Sequence, residues 1–427
     1  MHQPLPHPAD FRIPPLIKRN TALFALSQSF TGAGMQLGYG IGPLMVIALT
    51  GSASLAGLSV GLFGLSRFLV AYPVGKITDA YGRKPGIQLG LLLALVSTIA
   101  IGLAMIVRSP VGLIAGMLVF GMGMNAAQQL RVAATDMFPP WLRAQALGYV
   151  ALGSLLGLAM GPVVVGLAEM IVERDGGDPL ALPWLMLPVL IVAGMIMVIF
   201  VRPDPKEIGM NLERYYPGYV PPERSAAEDS SFSVFDLLRN PRMRMAIVAN
   251  AAGQGNMAIV MVLTSLVLNH HGHSLTSIAV SHMFHSAGMF AFTVPLGILA
   301  DRHGREGVMH AGVATTLVGA GLVAFTGGFW LVTLGTFLVG LGWAAANVAS
   351  TALIADYAET EQRGRAIGVN DSFAGAMALL AAVVTGPLIE YSGLPAAGLT
   401  AVLIALLPLL MLAANRVAER KSAGPDA

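Results

Sequence analysis

Apolar runs of membrane length recur along the whole chain. One reads LLLALVSTIAIGLAMIV from Leu91, another LMLPVLIVAGMIMVIFV from Leu185. At 1.5 Å per residue, a helix needs about 20 apolar residues to cross a hydrocarbon layer of about 30 Å. Twelve stretches satisfy this: 20–49, 53–74, 86–107, 111–137, 144–170, 181–201, 243–269, 275–296, 307–327, 329–355, 365–389 and 394–415. Glycine and proline interrupt several, which membrane helices tolerate. Charged residues make up only 11% of the 427 residues, against roughly 25% in soluble proteins. The expected fold is therefore an all-α membrane protein of twelve transmembrane helices in two six-helix halves. The organisation reads as a tail 1–19, a half 20–201, a central loop 202–241 beginning RPDPKEIG, a half 242–415 and a tail 416–427.

Composition also excludes. There is no cysteine, so disulfides, zinc–thiolate sites and cysteine nucleophiles are absent, and the 23 methionines are the only sulfur. A net charge of +2 gives no field for nucleic acid. The opening MHQPLPHPADFRIPPLIKRN lacks the basic start and short apolar core of a cleaved signal peptide. No phosphate loop, nucleophile elbow or zinc-protease motif is present, which argues against an enzyme and against ATP-driven transport. The central loop and the tail RVAERKSAGPDA are too short for the folded output domain of a membrane sensor.

Loop charge sets the expected direction. One set of loops and ends holds 21 of the 25 lysines and arginines; the opposite set holds Arg108 and Arg174, and Arg67 and Arg131 fall within spans. Positive charge accumulates on the cytoplasmic side, so both termini and the central loop are expected inside a cytoplasmic (inner) membrane.

The halves repeat each other. GKITDAYGRK starts at Gly75 and GILADRHGRE at Gly297; Asp136 precedes Arg143-Ala-Gln-Ala-Leu-Gly148 as Asp356 precedes Arg363-Gly-Arg-Ala-Ile-Gly368. Internal repeats at this scale mark transporters, in which one half rocks against the other around a central site. Gly82 and Gly304 suit tight turns between helices, across which Asp79 is expected to pair with Arg83 and Asp301 with Arg305.

These residues carry a resemblance. The loop motif of the major facilitator superfamily, Gly-x-Leu-x-Asp-x-x-Gly-Arg-Lys, is similar to Gly75, Ile77, Asp79, Gly82, Arg83 and Lys84, and again to Gly297, Leu299, Asp301, Gly304 and Arg305. Ala80 and Glu306 depart from it, each standing where a basic residue is usual. The resemblance covers essentially the whole chain. It implies a secondary transporter working by alternating access, with no permanently bound cofactor, probing a small solute or ion as a monomer in the bilayer. It also implies that the loop residues, with Asp136 and Asp356, latch the halves when the site faces outward.

Polar groups inside spans are functional hypotheses by default. No span carries a midplane acid; Asp371 comes nearest, about two turns into span eleven. Arg67 suits either snorkelling or an anionic solute, and Arg131 a place near the cytoplasmic end of span four. Asn125 and Gln128 on span four suit a pore or helix bridging. Gly153, Gly157 and Gly161-Pro162 on span five suit close helix contact or the similar pattern of the family's antiporters.

Span seven carries Asn250, Gln254, Met257 and Met261 on one helical face; span eight carries His282, His285 and Met289. Met257 falls roughly 21 Å and His285 roughly 16 Å up the slab. Thioethers with imidazoles suit Cu(I), which is soft and needs no charged ligand. Magnesium and calcium want oxygens. The pairs Met-x-x-x-Met and His-x-x-x-Met also resemble bacterial major-facilitator copper importers serving cytochrome oxidase assembly. Copper import is thus the sharpest expectation, with Met257, Met261, His282, His285 and Met289 as ligands. Riboflavin or another organic solute, drug or metabolite efflux, and a non-transporting sensor are the alternatives. The same residues also read as gap-filling methionines and helix-bridging histidines.

Overall fold

The computed structural model describes residues 12–139, 142–219, 234–357 and 363–422. Every element among these is helical. Nine helices are long and apolar enough to cross a membrane, or eleven if two bent pairs each count as one crossing. The longest, Arg363–Ser422, is broken at Gly393 (φ 79°, ψ 171°) and supplies both the eleventh and twelfth spans. All twelve expected spans are thereby present.

Both bends have a proline as their cause. Span one, Pro15–Gly40 and Gly42–Thr50, bends 45° just before Pro43. Span eight, Leu275–Ala291 and Thr293–His303, bends 43° just before Pro295. Each ring lacks an N–H and collides with the carbonyl four residues earlier, Tyr39 or Ala291. Span one starts at Pro15 rather than Asn20; proline suits a first helical position, where its missing N–H has no partner to lose.

The two loop repeats adopt the expected turn. Gly82 (φ 100°) separates span two, Leu58–Tyr81, from span three, Arg83–Ile106. Gly304 (φ 90°) separates span eight from span nine, Arg305–Phe325. Positive φ at these two points favours a residue without a Cβ.

By contact the chain forms two units, Met1–Met35 with Leu65–Ala226 and Gln36–Gly64 with Ala227–Ala427. In the first, span five lies backbone-to-backbone on span one: a Cβ at Gly153 would sit 2.0 Å from the Ala25 carbonyl oxygen, and Ser29 Oγ donates to Gly153 O at 2.7 Å. Those span-five glycines serve helix packing. Trp184 of span six, Leu182–Ile199, is fully buried edge-on to Phe120 of span four.

Part of the expected central loop folds onto this unit. Short helices Pro205–Met210 and Leu212–Tyr215 place Ile208, Leu212 and Tyr216 in the core. Tyr216 Oη donates to Met137 O at 3.2 Å, and burial pushes its phenol above the usual tyrosine range.

In the second unit, span seven (Pro241–His270) is enclosed along most of its length. Asn240 caps its start, accepting from Arg242 N at 3.0 Å, and Pro241 fills the first position. The bent-off end of span one packs in this unit too, with Ser265 Oγ donating to Gly40 O at 2.6 Å. Residues 53–57 are clasped to the end of span eleven. Glu390 accepts from Ser52 Oγ and from Ser54 N, both at 2.6 Å. A Cβ at Gly57 would lie 1.8 Å from Ala382 O.

Candidate functional site

The second unit brings the two histidines into its interior. Ser274 caps span eight, its hydroxyl accepting from Ser277 N at 3.1 Å, and two turns later His282 and His285 are each only 2% exposed. His282 Nδ1 lies 2.9 Å from Ile278 O on its own helix. His285 Nδ1 lies 2.9 Å from Thr336 O on span ten, Phe329–Tyr357. A neutral imidazole facing a carbonyl through Nδ1 carries its proton there, which leaves Nε2 as an acceptor or ligand. Both Nε2 atoms are buried, and among the described residues neither has a hydrogen-bond partner. Leaving a buried polar atom unsatisfied costs about 1–3 kcal/mol.

Neighbouring contacts hold this pair in place. Thr264 and Thr336 hydroxyls meet at 2.9 Å, joining span seven to the strand of backbone that binds His285. A Cβ on Gly40 would sit 3.6 Å from the His282 ring. Met257 and Met261 are buried on span seven, and Met289 is half-buried one turn beyond His285. Thr264, Ser265 and Thr336 escaped sequence reasoning, because hydroxyls within apolar runs carry no distinctive spacing. So did a second soft pair, with Met245 Sδ 3.5 Å from His310 Nε2.

Three of the other polar candidates, Asn250, Gln254 and Asn125, bridge helices. Asn347 Nδ2 donates to Asn250 Oδ1 at 3.0 Å, and Trp343 Nε1 donates to Gln254 Oε1, so both span-seven amides are tied to span ten. In the first unit Asn125 Nδ2 donates to Gly121 O at 2.8 Å and to Ser66 Oγ at 3.2 Å. Gln128 sits at the break between Pro110–Ala127 and Gln129–Asp136, its Oε1 buried without a partner among the described residues. Arg67 lies near enough to Arg131 to repel it.

The repeated loop motif forms ion pairs in both units. Arg83 Nε meets Asp136 Oδ2 at 2.7 Å, and its Nη1 donates to Thr78 Oγ1 at 3.3 Å. In the second unit Arg305 Nε meets Asp356 Oδ2 at 3.1 Å and Nη1 pairs with Asp301, as expected. The Asp79 side chain lies outside the described residues. Gly75 and Gly297 have room around them. An unforeseen partner is Asp204, in the central segment. Its two oxygens take Arg83 N and Lys84 N, each at 3.0 Å, and Oδ1 also takes Lys206 N at 2.9 Å. One carboxylate thus caps two helices. The Asp-Pro pair in RPDPKEIG signals a cap for the helix that follows it; nothing local signals the second helix.

The Major Facilitator Superfamily model matches residues 23–284 and 245–426. The chain belongs to the major facilitator superfamily. Its sequence is 27% identical over 416 residues to the uncharacterized MFS-type transporter YddS of Bacillus subtilis (strain 168), covering 95% of this chain and 93% of that one. It is 25% identical over 388 residues to the riboflavin transporter RfnT of Brucella anthropi, covering 88% and 90%. In fold it is similar to the crystal structure of the nucleoside transporter NupG, with a TM-score of 0.66, 13% identity, and coverage of 94% of this chain and 98% of that one. As a member of this superfamily the chain is a multi-pass membrane transporter and not an enzyme. The copper-importer branch is a finer assignment than these likenesses carry, and no group of three or more His, Cys, Asp or Glu that could hold a metal occurs among the described residues.

Proposed function

We propose that this transporter moves a small organic solute across the cytoplasmic membrane by alternating access, and that His282 and His285 contact it. The carrying observation is the pair of buried, unpartnered Nε2 atoms one helical turn apart. Two acceptors so placed suit a solute presenting N–H or O–H donors along one edge, as a heteroaromatic ring does. The likeness to a riboflavin transporter supports this class. The monomer rocks its halves 20–201 and 242–415 about the central segment, with both termini inside. The Arg83–Asp136 and Arg305–Asp356 pairs hold the charged loops in one of the two states.

Cu(I) is the second reading, and a specific observation favours it. A histidine that gives one ring nitrogen to a carbonyl presents the other as an oriented metal ligand. Met257, Met261 and Met289 supply thioethers on the same two spans. Uptake of radiolabelled riboflavin and of radioactive copper separates the readings, in cells expressing wild type or His282→Ala/His285→Ala at matched membrane abundance. Riboflavin uptake lost in the double variant supports the organic solute. Copper uptake lost in it, with riboflavin flat throughout, transfers the assignment to Cu(I). Uptake unchanged by the double substitution removes the histidines from the pathway.

A further inference from the structure

At one end of the first unit, an open cleft of about 460 Å³ lies against spans three and six. Its lining includes Tyr81 at the end of span two, Lys84 and Gln88 from span three, Ile199 from span six, and Arg202 and Asp204 beyond it. The positive-inside rule assigns this end to the cytoplasmic leaflet. Transport by the histidine site makes no use of it.

The charge in the cavity is unbalanced. Lys84 and Arg202 both line it, two cations against one acid. Outside the lining, Arg19 Nη2 donates to the Arg202 carbonyl at 3.1 Å. Asp204 is the acid in the lining, and both its oxygens already take backbone N–H groups at the two helix starts. Lys84 Nζ donates to Ile199 O at 3.1 Å and Gln88 Nε2 to Met195 O at 2.9 Å. These bonds fix Lys84, Gln88 and Asp204 along the cleft's walls, while the Arg202 side chain stands exposed beside them.

What surrounds the cavity selects the ligand. Further along, both spans expose apolar side chains a turn apart, Leu92 and Val96 on span three and Val192 and Ile196 on span six. Tyr81 stands exposed at the rim, where aromatic side chains favour the headgroup level. A cationic cleft opening onto a membrane-facing apolar strip fits an anion joined to acyl chains. Basic pockets between spans on the cytoplasmic side take phospholipid headgroups.

We infer that the cleft between spans three and six binds an anionic phospholipid of the cytoplasmic leaflet, its phosphate held by Lys84 and Arg202 and its chains lying along the exposed strip. The inference is independent of the transported solute.

Native mass spectrometry of the full chain in neutral detergent tests it, with phosphatidylglycerol, phosphatidylcholine of the same acyl chains, or inorganic phosphate added. Wild type should retain phosphatidylglycerol over phosphatidylcholine. Arg202→Gln should lower that preference about five-fold, and Lys84→Gln/Arg202→Gln further, at the scale of basic residues near an anionic surface. Arg202→Gln leaves the Lys84–Ile199 contact in place, so it reads the charge without loosening the cleft. Arg174→Gln, exposed in the last helical turn at the opposite end of span five, should change nothing. Equal retention of both lipids by wild type overturns the site. So does an equal drop in Arg174→Gln, or full displacement of phosphatidylglycerol by inorganic phosphate.

Discussion

A single carboxylate shows how much one side chain can hold in this protein. Asp204 caps span three and the short helix Pro205–Met210 together, so its loss frees three backbone donors. A lost cap costs about 0.5–2 kcal/mol, and Asp204→Ala should lower the melting temperature of the purified protein by several degrees at unchanged helicity. A thermal scan monitored by circular dichroism checks it; an unchanged midpoint would mean water replaces the carboxylate. Asp136 has a different weight. It pairs with Arg83 at 2.7 Å in partly exposed surroundings, where an ion pair adds at most about 1 kcal/mol. If the pair latches one of two states as proposed, Asp136→Asn should leave membrane abundance intact while reducing transport. Equal uptake at equal abundance would leave the pair a capping contact only. Gly82, Arg83 and Asp136 were all legible as residues, since the motif occurs twice. Asp204 was half legible, as the cap of its own helix.

At the scale of elements, proline and glycine decide where straight helices stop being straight. Pro43 and Pro295 bend spans one and eight, and Gly393 separates eleven from twelve. The clasp at 53–57 depends on such a position. Gly57 lies against the Ala382 carbonyl and Glu390 gathers Ser52 and Ser54, all inside one unit. Gly57→Ala would force a Cβ into a space of 1.8 Å, so the segment must withdraw from span eleven. In a Leu55→Cys background, Gly57→Ala should label with a membrane-impermeant thiol reagent several times faster than the parent. The same rate in both would place the strain elsewhere. The apolar runs announced every crossing, yet the clasp was invisible. It joins residues more than three hundred positions apart, and its donors are ordinary serines. Asn250 and Gln254 were legible as a polar stripe on span seven, but their partners Asn347 and Trp343 sit on a different helix at no readable spacing.

For the molecule as a whole, the loop charges predict an orientation with both termini inside. With no native cysteine, single substitutions report it without background. Arg174→Cys should react with an impermeant thiol reagent in intact cells, and Met210→Cys only after permeabilisation. The reverse pattern would invert the protein in the membrane. By itself the sequence determined the membrane environment, twelve crossings, the repeated loop and the superfamily. Each of these depends on local composition or on motifs that recur at near-constant offset, and lipid forces apolar runs into helices whatever their neighbours. The tertiary structure decided the rest. It placed Gln36–Gly64 in the unit of the second half, drew the start of the central segment into the core, and left His282 and His285 with buried, unpartnered nitrogens. Whether a polar side chain in an apolar helix finds a partner depends on which other helix lies beside it and at what height. That is a property of packing between distant segments, and no periodicity along one helix contains it.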